Sequence, residues 1–96
     1  MFVILLTYKK PLSIVDQYLA EHAEFLEKGY QQNAFIVSGR KNPRTGGVIF
    51  SQLNDRQQLE KIIQQDPFYS NQIADYEIIE FIPGMYHSKF SSLIEK

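Results

Sequence analysis

The sequence predicts an α+β fold: an antiparallel four-stranded sheet with two helices on one face, in the order βαββαβ, followed by a short helical tail. Three observations predict it. Four short runs rich in strand-forming residues are bounded by Gly, Pro, Asn and Asp. Two longer stretches between them carry apolar residues at helical spacing. Only a loop rich in glycine, asparagine and proline joins the second and third runs, as in a hairpin. The length of 96 residues fits one compact domain, read as 1–96 with a tail over 84–96.

Phe2 to Tyr8 is almost uninterruptedly apolar, too short for a helix, and reads as a central strand buried on both faces. Ser13 with Asp16 three residues on is an N-cap signature for the first helix. Its inward face runs Val15, Tyr18, Leu19, His22, Phe25, Leu26 and Gly29. Gly29 either ends this helix or permits close packing on the sheet, and Asn33 is the preferred stop, since Asn tolerates a left-handed C-cap. Ala34 to Ser38 is the second strand, Gly39 to Gly47 the loop, and Val48 to Ser51 the third strand. Asp55 caps the second helix with Gln58 as capping-box partner. The fourth strand is Tyr76 to Ile82, whose two glutamates fall on opposite faces and place it near an edge. In the tail, Phe90, Leu93 and Ile94 recur at helical spacing.

The inward stripe of the second helix, Leu59, Ile62, Ile63 and Asp66, ends in an acid. Read as the last turn before Pro67, this puts a carboxylate at a helix C-terminus, where the macrodipole disfavours it by roughly 0.3–1 kcal/mol. A partner is therefore required. Right-handed crossovers set the two helices side by side in a ferredoxin-like arrangement, and the rise per residue leaves His22 and Asp66 about 3 Å apart in height. A histidine beside a carboxylate can act as a general base, the carboxylate fixing the tautomer and stabilising the imidazolium. The competing account is a buried hydrogen-bonded pair that ties two helices together.

Arg40, Lys41 and Arg44 beside Gly46-Gly47 can hold a carboxylate or phosphate of a small ligand, with Ser38 adding a hydroxyl. A solvated turn is the plainer account for Lys41, and stands level with ligand binding for Arg40 and Arg44. Tyr8, Tyr18 and Phe68 can line an apolar pocket or simply fill the core. His87 has no acidic neighbour in sequence, and two histidines without ligand spacing give no metal site. The loop is not a Walker loop, so no nucleotide or other cofactor is expected.

The chain resembles the YciI-like (YCII-related) family over almost its whole length. The residues that carry the resemblance are His22 on the first helix, Ser38-Gly39-Arg40 ending the second strand, Gly47 opening the third, and Asp66-Pro67-Phe68. Arg40 stands where the family carries proline, which marks Gly39 to Gly47 as a stretch with its own ligand. The resemblance implies a ferredoxin-like subunit in a dimeric α/β barrel and an active site at His22 and Asp66. Relatives that remove chloride from a chlorinated hydroquinone, and muconolactone isomerases on the same barrel architecture, imply proton abstraction from a small cyclic or enolisable compound.

The expected function is thus a lyase or isomerase without cofactor. His22 and Asp66 would be catalytic, and Ser38, Arg40, Arg44, Tyr8 and Phe68 substrate-binding. The alternative is a dimer that binds a small molecule without turning it over. A composition 44% hydrophobic and 14% aromatic supplies a core, though a chain this short gains from burying more surface in an oligomer. Ile36, Ile49, Ile79 and Phe81, added to the two-faced first strand, predict an apolar sheet face and hence a homodimer through it. A net charge of −1 without a basic block argues against nucleic acid and membrane surfaces. No cysteine means no disulfide framework. Phe2 to Leu6 lacks the flanks of a signal peptide and is too short to span a bilayer, so a soluble cytoplasmic protein is expected.

Overall fold

The computed structural model describes residues 1–94. Strand β1 (Phe2–Tyr8) lies between β3 (Gly46–Ser51) and β4 (Ala74–Glu80), and β2 (Phe35–Arg40) pairs outside β3. All pairs are antiparallel, in the order β2-β3-β1-β4. This is the ferredoxin-like α+β fold, with the apolar β1 central and β4 on an edge. Phe2, Ile4 and Leu6 are fully buried against the helices, α2 (Leu19–Gln31) and α3 (Arg56–Ile63), with Val15, Phe25, Ile49 and Leu59.

The first helical stretch differs from its expected form. It starts at Leu12 in a short α1 (Leu12–Gln17), and Ser13 lies inside it instead of capping it. Pro11 takes the cap position at φ −58 and ψ 153. Its carbonyl accepts from the amides of Ile14 and Val15. Proline suits a helix entrance because it has no N–H to satisfy and its φ is preset. The path then breaks at Tyr18 (φ −110, ψ 2), and α2 begins at Leu19. Gly29 serves packing: a Cβ there would lie 2.1 Å from the Phe35 ring. Asn33, at φ 58, takes the left-handed position just past the helix end.

Asp55 caps α3 as expected, accepting from the amides of Gln57 and Gln58 at 2.9 and 3.5 Å. The helix stops at Ile63, however, and Asp66 is not in its last turn. Both hairpin strands run further into the loop than expected, so that 41–45 alone connect them. The glycines at 39, 46 and 47 pair as strand residues, and the Lys41 amide bonds to the Gly46 carbonyl at 2.9 Å. Ile49 consequently faces the helices and is buried, contrary to expectation. The outer sheet face carries Val3, Leu5, Val37 and Phe50 beside the expected Ile79, with Val37 52% exposed. Ile36 sits at an irregularity in the β2–β3 ladder.

The tail forms a 3₁₀ turn, Ser88–Phe90, and a short α5, Ser91–Ile94. Leu93 and Ile94 line a hollow with Met1, Gln52 and Asn54, at the opposite end of the sheet from Tyr8 and Gly46. Glu95 and Lys96 lie outside the described residues. His87 is exposed and caps the 3₁₀ turn, its Nδ1 accepting from the Lys89 amide at 3.1 Å. No helix among the described residues is long and apolar enough to cross a membrane.

Candidate active site

Asp66 opens a new turn instead of closing an old one. Its backbone is extended (φ −71, ψ 126), Pro67 takes the first helical position, and α4 (Pro67–Ser70) follows. The carboxylate Oδ1 accepts from the Phe68 amide at 3.0 Å. Asp-Pro is thus an N-cap followed by proline at the first position. The electrostatic sign is the reverse of the expected one, because a negative charge at a helix N-terminal turn is favourable.

Asp66 is fully buried, and its burial is tolerable because three donors converge on it. Besides Phe68, the His22 ring donates from Nδ1 to Oδ1 at 2.8 Å, and the Tyr76 hydroxyl donates to Oδ2 in a short hydrogen bond. The expected His22–Asp66 meeting therefore holds. Tyr76, on the helix-facing side of β4, was legible only as a strand residue. Burial first, then the negative carboxylate beside it, raise the Tyr76 phenol well above its ordinary range and keep it a donor.

With a carboxylate as acceptor, the imidazole proton sits on Nδ1 and the lone pair on Nε2. Nε2 has no hydrogen-bond partner among the described residues. The His22 side chain is 14% exposed, enough for a small molecule to reach its edge. Phe68, carried in by α4, stacks flat on the imidazole with centroids 4.0 Å apart and planes 3° apart. Tyr8 meets Phe68 edge-on at 6.0 Å. The ring is fixed by a hydrogen bond at one nitrogen and by an aromatic face, both positioned by the same turn.

His22 borders a cleft of about 460 Å³ between α2 and the β2–β3 hairpin. Leu6, Leu19, Leu26, Ile49 and Phe68 give it apolar walls, and Ser38, Arg40, Arg44 and Tyr8 give it polar ones. All seven residues expected at the site thus border this cleft or, for Asp66, stand directly behind His22. Tyr18 and Lys41 do not line it. Lys41 reaches Thr7 Oγ1 at 3.2 Å. Arg44 is already engaged: it donates to Asp16 Oδ1 at 2.5 Å, and this bond above all raises its pKa. Ser38 Oγ lies 2.5 Å from the Tyr30 hydroxyl.

The family model of the YCII-related domain matches residues 1–82. No curated protein matches the chain. Among solved structures it is similar to a 5-chloro-2-hydroxyhydroquinone dehydrochlorinase (TftG) from Burkholderia phenoliruptrix AC1100 in complex with 2,5-dihydroxybenzoquinone. The TM-score is 0.70 at 16% identity, covering 93% of this chain and 97% of that one. At that identity the likeness is one of fold.

Proposed function

The chain belongs to the YCII-related domain family, and from that premise we propose that it is an enzyme in which His22 is a general base and Asp66 its orienting partner. The observation that carries this reading is the 2.8 Å bond from Nδ1 to a fully buried carboxylate, with Nε2 left unpartnered beside an apolar cleft. In the reaction Nε2 takes a proton from a small cyclic or enolisable compound. Asp66 stabilises the imidazolium that results, and Tyr76 and the Phe68 amide hold the carboxylate in place. The proton is then returned to another atom in an isomerisation, or released to solvent as an anionic leaving group departs in an elimination.

The dehydrochlorinase makes chlorinated hydroxyhydroquinones the first compounds to try, followed by other enolisable rings. Turnover, or exchange of a substrate C–H for deuterium, is expected with the wild type. His22→Ala should lower it by about 10²–10⁴-fold, with a smaller loss in Asp66→Asn. Full turnover in both variants on an identified substrate would sink the mechanism. A second reading, a binding dimer with a structural His–Asp pair, draws on Asp66 bridging α2, α4 and β4. Recovery of unchanged ligand after long incubation favours that reading over the first.

A further inference from the structure

Arg40 and Arg44 both border the cleft, but they differ in what they already hold. Arg44 is tied to Asp16 of α1 at 2.5 Å and interacts with Tyr8. Arg40 is exposed, and its side chain has neither a hydrogen bond nor an ion pair among the described residues. The ladder shows where it stands. Arg40 pairs with Gly47, Gly47 with Leu6, and Leu6 with Tyr76. These four form one row across the helix-facing side of the sheet, because residues directly opposite in a ladder share a face. At the β4 end of the row, Tyr76 holds Asp66, which holds His22. At the β2 end is the guanidinium. Between them the floor is Leu6 and a glycine that contributes no side chain.

We infer that Arg40 is the anion-binding and specificity-determining residue of this cleft, and that its substrate is a small ring or enolisable compound bearing a carboxylate on the side away from the proton His22 removes. This rests on the reading of the cleft as a substrate site. The ligand chemistry follows from the groups present. One planar guanidinium with its donors unoccupied matches a carboxylate in a two-point contact. A phosphate dianion asks for more positive charge. The next cation, Arg44, is neutralised by Asp16, whose own carboxylate disfavours a multiply charged ligand. The apolar walls formed by Leu19, Leu26 and Ile49 and the flat His22–Phe68 stack suit the ring. Arg44 is then a latch that holds the hairpin loop to α1 and does not itself bind the anion.

The test uses two probes of nearly the same shape, benzoate and the neutral benzamide. They are titrated into the full-length, isotope-labelled protein while the His22 ring and Arg40 side-chain resonances are followed. Both sets of resonances should move with benzoate at millimolar concentrations. Benzoate should bind roughly tenfold more tightly than benzamide. Arg40→Gln should abolish that preference while benzamide affinity stays at the wild-type value, which also shows that the variant is folded. Arg44→Gln should keep the preference. Equal binding of the two probes by the wild type, a preference that survives Arg40→Gln, or no response of His22 to either probe overturns the inference. The two failures are separable, since probe discrimination requires no turnover: a benzoate preference carried by Arg40 in a protein that turns over no substrate would sink the base and leave the anion site standing.

Discussion

Asp66 accepts from His22, the Phe68 amide and Tyr76 while wholly removed from water, so the identity of the side chain there matters in graded fashion. Asp66→Ala strands three donors in a buried site. A loss of about 2–5 kcal/mol in urea unfolding at neutral pH is expected. Asp66→Asn keeps an oxygen for Phe68 and can donate to the Tyr76 oxygen, so it should lose much less stability. The same oxygen still faces His22 Nδ1, so the Nδ1–H tautomer, which nitrogen chemical shifts read directly, should be retained while the negative charge that stabilises the imidazolium is lost. Tyr76→Phe leaves Oδ2 without its donor and should cost about 1–3 kcal/mol. Its pH behaviour is the sharper check. The Tyr76 phenol is raised in the folded state, whereas an unfolded tyrosine ionises near 10. Below about pH 10 both states keep the proton and this contribution is flat. Above it the unfolded chain binds fewer protons, and stability falls as pH rises by up to about 1.4 kcal/mol per unit. Tyr76→Phe removes that component, so its alkaline limb should be shallower than the wild type's in thermal melts taken at successive pH values.

At the scale of elements, what was legible in the sequence and what was not divide along locality. The strands, Asp55 as a cap and Asn33 as a stop are decided by neighbours a few residues away. Leu59 and Ile63 mark the buried face of α3, but periodicity counts residues and cannot see the chain turn between Gln64 and Asp66. Asp66 thus kept its predicted partner while belonging to another element, with the opposite dipole. Tyr76 was out of reach for a related reason: its meeting with Asp66 depends on β4 pairing with β1 in one register. The Arg44–Asp16 contact needs the hairpin folded back onto α1, which no local pattern encodes. Gly29 shows an element decided by its neighbour. Alanine there would gain helix propensity of about 1 kcal/mol. Its methyl would instead strike the buried Phe35 ring, which packs edge-on to Phe25 at 5.6 Å. Gly29→Ala is expected to destabilise by about 1–3 kcal/mol, and chemical denaturation showing a gain would refute the packing account.

For the whole molecule, one sheet face is left without helices among the described residues. Val37, Phe50, Ile79 and Phe81 are all exposed there. Apolar area of this kind on a chain of 96 residues is what a second copy would cover. The expected outcome is a dimer at micromolar concentration in analytical ultracentrifugation, converted to monomer by Ile79→Lys with unchanged helicity. A wild type that sediments as a monomer would remove this expectation. One small feature reaches across these scales. Asp66 Oδ1 is shared between the Phe68 amide and the imidazole, so the two compete for the same electron pairs. When His22 gains a second proton, the carboxylate is drawn towards the imidazolium, and the amide is left with the weaker share. The backbone hydrogen of Phe68 is therefore a built-in reporter of the charge on the imidazole, readable by deuterium exchange without a substrate or a label.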